Sequence, residues 1–140
     1  MQRRAFLFAC SAAALRADPR SEIYDFFGAL ANSLAEGNAV RFLHAFDPET
    51  SGYQELVANV TALVQQADIH STIEIVEDAG DARERKVRLD WLLQFTGKQS
   101  SANAIRRQEM VNCRVVKTKR NWRIVSIHPI GFFAPPKIGE

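Results

Sequence analysis

The sequence predicts an α+β fold in which three amino-terminal helices pack on one face of a curved antiparallel sheet of about four strands. Before Asp68, apolar residues recur at spacings of three and four, which is typical of amphipathic helices. After Asp68 they recur at every second position, which is typical of strands with one buried face. The segments between these strands are short, so consecutive strands should pair antiparallel.

Turn and cap residues divide the helical part into three elements. Asp18 and Pro19 suit the first turn of the first helix, and Gly37 suits its end. Thr50 or Ser51 is expected to cap the third helix. The helices are therefore predicted at residues 18–37, 38–46 and about 51–67.

The strand part is followed by an aromatic tail. The strands are predicted at residues 69–75, 87–95, 105–115 and 122–128, with turns at 78–81 and 117–121 and a polar segment at 97–103. Residues 131–136 have no regular period. Phe132 and Phe133 in this tail are expected to cover the sheet or the first helix.

The first 17 residues have the layout of an export signal. Two arginines precede an apolar stretch at residues 5–15, small residues follow, and cleavage is expected after Ala17 or Ala14. Residues 3–7 also resemble the twin-arginine export signature of bacterial proteins. The alternative is an amphipathic start to the first helix. We therefore expect a periplasmic or extracellular protein with a single domain over residues 18–140.

Removal of this leader changes the charge and the cysteine content. The full chain has 18 basic and 16 acidic residues, and the leader holds three of the basic ones and none of the acidic ones, so the net charge falls from +2 to −1. Nucleic-acid binding is therefore not expected. Cys113 alone would remain, so no internal disulfide is possible, and we expect it to be a buried small apolar residue. No remaining apolar run approaches the roughly 20 residues of a membrane-spanning helix.

The strand at residues 105–115 combines apolar and charged side chains on one face. Arg107 and Glu109 share the parity of Val111, Cys113 and Val115, so the apolar face ends in two charges. This pattern indicates the wall of a cavity. Arg107 would bind an anionic ligand there, and a desolvated Glu109 would act as an acid or base. The alternative is a structural ion pair near the sheet edge.

Three segments resemble the nuclear transport factor 2-like superfamily, which includes the SnoaL-like and ketosteroid isomerase-like groups. They are residues 34–43, 46–48 and 121–127, and they occur in the order and spacing of that superfamily. The resemblance implies a cone-shaped fold, with the bent sheet wrapped around a pocket, and often a homodimer. The catalytic Tyr and Asp of ketosteroid isomerase would fall at Leu30 and near Gln54, so that mechanism is not expected.

Further side chains are candidate site residues. Trp91, Tyr24 and Tyr53 are ligand-binding candidates. The two tyrosines lie on or near apolar helix faces, so their hydroxyls are expected to reach into a cavity. Asp90 is a second-tier catalytic candidate, with solvent exposure or a pair with a cross-strand Arg as the alternative. His44 and His128 are isolated in the sequence. No metal-ligand spacing or phosphate-binding loop occurs, so neither a metal nor a cofactor is expected.

Two main interpretations of function follow. The first is an exported binding or accessory domain that takes a small apolar or anionic ligand and dimerises through the exposed sheet face. The second is a cofactor-independent lyase or isomerase, with Glu109 as base and Arg107 stabilising negative charge. An enclosed cavity around Glu109 would favour the enzyme. A filled core without a cavity would favour a third interpretation, a structural interaction module.

Overall fold

A computed structural model describes residues 18–98 and 104–136. The predicted export signal and its twin-arginine motif lie outside these residues. In chain order the elements are α1 (Pro19–Ala35), α2 (Ala39–His44), α3 (Tyr53–Gln66), β1 (Ala67–Gly80), β2 (Glu84–Gly97), β3 (Ile105–Thr118), β4 (Asn121–His128) and a 3-10 helix (Ile130–Phe133). This order confirms the α+β prediction.

The four strands form one antiparallel sheet in the order β1-β2-β3-β4. β1 is longer than predicted, because it starts directly after α3 and extends through most of the expected turn. Gly80 ends it with a φ of +146°, and a Cβ there would collide with the carbonyl of Glu84. The register shifts between Ile75 and Glu77 and between Arg114 and Val115. Such bulges increase the local twist and bend the sheet.

The predicted cap of α3 is wrong. Neither Thr50 nor Ser51 caps α3, because Gly52 takes that position with a φ of +80° and offers no side chain. Thr50 is instead buried, and its hydroxyl donates to the carbonyl of Ile124 at 3.1 Å. Asp18 is at the N-cap of α1 and Pro19 is in its first turn, as predicted, but the Asp18 side chain makes no capping hydrogen bond. The hydroxyl of Thr50 therefore ties the loop before α3 to β4.

The core lies between the helices and the inner face of the sheet. On β2 the residues alternate strictly, with Val87, Leu89, Trp91, Leu93 and Phe95 buried. On β3 the same holds for Val111, Cys113 and Val115, and Cys113 is 4% exposed. The predicted strand parity and the burial of Cys113 are therefore confirmed. Within the described residues, no helix has the length and apolar character to span a membrane.

Candidate functional site

The carboxyl-terminal segment fills the space over the middle of the inner sheet face. Residues 130–133, predicted to lack regular structure, form a 3-10 helix that buries Phe132 and Phe133 at 1% and 0% exposure. Their ring centroids lie 5.8 and 5.0 Å from that of Trp91. Phe133 also lies 5.4 Å from Phe42. Four aromatic rings thus pack together where the resemblance implied a pocket.

Arg107 holds this segment in place. Its Nη1 donates hydrogen bonds to the carbonyl oxygens of Phe132, at 2.5 Å, and Ala134, at 2.8 Å. The guanidinium lies 5.0 Å above the Phe95 ring, a cation–π contact. Desolvation lowers the pKa of Arg107, and the nearby charge of Glu109 acts in the opposite direction. The charge of Arg107 is therefore directed at the protein's own backbone.

Glu109 is exposed, and the expectation of a desolvated base in an enclosed cavity is wrong. Its backbone pairs with Trp91, on the predicted face. The carboxyl-terminal segment covers Arg107, two residues away, but leaves Glu109 in solvent. No ion pair joins Glu109 to Arg107, so the alternative of a structural pair is wrong as well.

The aromatic candidates do not line a common cavity. Trp91 is fully buried, and its Nε1 donates to Ser71 Oγ at 2.9 Å. Tyr24 is 71% exposed, because α1 turns the neighbouring Ile23 and Phe27 to the core. The expectation that the Tyr24 hydroxyl reaches a cavity is therefore wrong.

Tyr53 and Asp90 lie at two separate places on the surface. Tyr53 is half-buried in a shallow cavity of about 460 Å³ that also contains His44 and Arg123. Asp90 is half-buried on the outer sheet face, where it accepts a hydrogen bond from Gln108 Nε2 at 2.9 Å. The side chain that Asp90 binds on the neighbouring strand is thus the amide of Gln108 and not an arginine, which was the predicted alternative. The structure does not bring these residues together with Glu109.

An open groove of about 460 Å³ lies on the outer sheet face, opposite the helices. We call it the outer groove. Two cross-strand rows form it, one of Glu77, Arg88, Asn112 and His128 and one of Ala79, Lys86, Arg114 and Ser126. The two register shifts of the sheet, at Glu77 and Arg114, lie in these rows. The groove is therefore located where the sheet is bent.

Positive charge predominates in the outer groove. Arg88 forms an ion pair with Glu77 at 3.4 Å, and Arg114 forms one with Glu84 at 2.9 Å. Lys86 lies directly opposite Arg114 on the neighbouring strand and makes no ion pair with the described residues. Lys86 and Arg114 are therefore two cations that face each other, and Lys86 has no carboxylate bound to it among the described residues.

A buried ion pair supports one end of the outer groove. Arg85 is 5% exposed, and its Nε donates to Asp78 Oδ1 at 2.6 Å while its Nη1 donates to the Asp81 carbonyl at 2.9 Å. Asp81 Oδ1 accepts the backbone N–H groups of Arg83 and Glu84, which lowers the pKa of Asp81. The side chains of Arg85 and Asp81 thus fix the β1–β2 hairpin beside the groove.

Lys86 and Arg88 lie on the polar side of their strand, and the sequence alone gives no sign of a site there. Their alternation with buried residues was visible, and Arg114 has the matching parity on the next strand. The pairing register and the two bulges were not visible in the sequence. In residues 18–98 and 104–136 no group of three or more His, Cys, Asp or Glu side chains is arranged to hold a metal ion.

Comparison with solved structures identifies the class of fold. A conserved protein from Planctomyces limnophilus has a TM-score of 0.69 at 9% identity, over 76% of this chain and 90% of that chain. A Mycobacterium tuberculosis protein of unknown function has a TM-score of 0.65 at 11% identity, over 76% and 67%. A Nostoc punctiforme protein of unknown function with a cystatin-like fold has a TM-score of 0.57 at 15% identity, over 77% and 86%. No family model and no curated protein matches the sequence.

The chain therefore has the nuclear transport factor 2-like, or cystatin-like, cone fold. This confirms the fold that the resemblance implied. At these identities the similarity extends to the fold alone, and the same fold supports many functions. The arrangement of this chain's own side chains must carry any functional conclusion.

Proposed function

We propose that this chain is an exported binding or accessory domain without catalytic activity, which contacts its ligand at its surface and not in the interior of the cone. The observation that carries this proposal is the packing of Phe132 and Phe133 against Trp91. A ligand of the usual size needs a cavity of about 300–1,000 Å³. Two buried phenyl rings occupy the place where such a cavity would lie. This packing also fits the structural interaction module, and the open outer groove on the sheet favours the binding of a small ligand over that interpretation.

The positions of Arg107 and Glu109 argue against the enzyme interpretation. A general base is more effective when its pKa is raised towards neutrality by desolvation, but Glu109 is exposed. Stabilisation of negative charge needs donors aimed at the reacting atoms. Arg107 aims its donors at the Phe132 and Ala134 carbonyls instead. The geometry therefore favours the binding or accessory role over the lyase or isomerase.

The filled interior can be tested with an uncharged apolar dye such as Nile red. Trp122→Phe leaves Trp91 as the single tryptophan, so energy transfer from Trp91 reports a dye bound near the aromatic cluster. We expect no saturable binding. Glu109→Gln should behave as the wild type does, and Glu74→Gln, another exposed strand carboxylate, is the matched control. Saturable binding of one dye per chain with energy transfer from Trp91 would contradict the proposal.

Export and dimerisation belong to the same proposal. The export signal at residues 1–17 supports a periplasmic or extracellular location. A reporter fused after residue 17 should be exported, and replacement of Arg3 and Arg4 by Lys should block export if the twin-arginine route is used. A homodimer through the part of the outer sheet face that lies outside the outer groove is proposed from the family resemblance, and the partly exposed apolar side chain of Met110 there would contribute.

A further inference from the structure

We propose that the outer groove binds a small oxyanion, a carboxylate or phosphate group carried by a small molecule. Lys86, Arg88 and Arg114 would supply the charge, and Asn112 and Ser126 would supply neutral hydrogen-bond donors. The inference rests on the proposed binding role and names the ligand chemistry and its location. It places the ligand on the face of the sheet opposite the aromatic cluster.

Two cations lie directly opposite each other in the outer groove. Lys86 and Arg114 are cross-strand partners, and both side chains point to the outer face. Directly opposed side chains have Cβ atoms about 4.5–5.5 Å apart, and like charges in such a pair repel. An oxyanion between them would replace this repulsion with two attractive contacts. The pair therefore favours an anion over a neutral ligand.

Arg88 and Arg114 keep N–H donors that their ion pairs do not use. Each guanidinium has five N–H donors, and the ion pairs of Arg88 and Arg114 each engage the Nη1 group alone. Both pairs are about half-exposed, so they contribute little and compete weakly with a ligand. Arginine also binds carboxylate and phosphate groups in a bidentate manner. The two guanidiniums thus keep the donors that an oxyanion needs.

The size and rigidity of the outer groove also suit a small ligand. Its volume of about 460 Å³ is within the range for small-molecule sites. The bulges at Glu77 and Arg114 bend the sheet there, and the Arg85–Asp78 pair holds the adjacent hairpin. The site is therefore built on strands rather than on a loose loop. The equally large cavity at Tyr53 has one permanent cation, Arg123, among mainly apolar residues.

The test is a titration of the isotope-labelled protein with inorganic phosphate and, separately, with succinate, followed by the backbone amide signals at low ionic strength. We expect saturable shifts centred on residues 86–88, 112–114 and 126–128, which weaken as salt is added. Lys86→Gln and Arg114→Gln should each weaken binding about tenfold, since each removes a charge-assisted contact. Arg106→Gln, an exposed outer-face cation away from the groove, is the matched control.

The titration also distinguishes the possible ligands from one another and from the outcomes that would overturn the inference. Shifts with phosphate alone would identify a phosphoryl ligand, and shifts with both probes a general oxyanion site. Absence of saturable shifts, or an equal loss in Arg106→Gln, would overturn the inference and leave the filled interior untouched. Groove shifts that depend on protein concentration without any probe would show that a second copy occupies the groove, which also overturns it. Shifts around Trp91 would instead contradict the proposed function.

Discussion

At the scale of single residues, Arg107 has a different role from the one its sequence position indicates. Its parity on the strand predicted a cavity-facing cation, and it does face inward. Its partners are carbonyls at residues 132 and 134, which are 25 and 27 positions further along the chain. No local pattern reports such contacts. The face of Arg107 was predictable from the sequence, but its function was not.

Arg107→Met keeps most of the side-chain stem and removes the donors, so it tests this structural role. Loss of two charge-assisted hydrogen bonds to partly buried carbonyls should lower the free energy of unfolding by about 2–4 kcal/mol. Urea denaturation measures the change. The matched control is Arg106→Met, the exposed neighbour, for which we expect less than about 0.5 kcal/mol. Equal effects of the two substitutions would contradict the role of Arg107.

Glu22 gives a pH-dependent contribution to stability. Its Oε1 accepts hydrogen bonds from Lys117 Nζ and Trp122 Nε1, both at 2.9 Å, and these lower its pKa from the ordinary 4.5. A lowered pKa stabilises the folded state above the unfolded value, and this contribution disappears as the pH falls through the folded value. Glu22→Gln should therefore cost about 1 kcal/mol at pH 7 and much less at pH 3. Denaturation curves at both pH values measure this, and a cost independent of pH would count against it.

Cys113 should be chemically inert in the folded protein. Burial raises the pKa of its thiol to about 12, so the reactive thiolate is scarce at pH 8. A thiol reagent should modify Cys113 only after denaturant is added, and Cys10→Ser in the full chain makes Cys113 the single cysteine for this test. Rapid stoichiometric modification of the native protein at pH 8 would show that the thiol is accessible.

At the scale of elements, the strands were more predictable than the carboxyl-terminal segment. The alternation of β2 directly reports which side chains are buried, because strand parity is a local property. The 3-10 helix at Ile130–Phe133 has no local signature, and its position depends on Trp91 and Arg107, which are distant in sequence. The outer groove was missed for a similar reason, since it depends on the strand register.

Phe133→Ala tests whether this segment is part of the core. Removal of a fully buried phenyl ring should cost about 3–5 kcal/mol. If the variant remains folded, the cavity should also admit a small aromatic molecule that the wild type excludes. Thermal unfolding with and without such a molecule measures both effects. Tyr24→Ala, at a 71% exposed position, is the control and should be close to neutral, so comparable losses would contradict the assignment.

At the scale of the whole molecule, this chain has a cone fold with an aromatic cluster in its interior and a charged groove on the outer face of its sheet. Three helices and four strands were predictable because composition and periodicity determine which faces are buried. In the interior, where the family resemblance implied a pocket, Phe132 and Phe133 are buried and pack against each other and Trp91. The fold class alone therefore does not locate a ligand site.

The most direct test of this account is native mass spectrometry of the mature protein purified from its own host. The account predicts that no uncharged apolar molecule is retained, and that any retained small molecule is an anion lost on Lys86→Gln or Arg114→Gln. The same spectrum gives the oligomeric state and so tests the proposed homodimer. Retention of one uncharged apolar molecule per chain by the wild-type protein would contradict the filled interior.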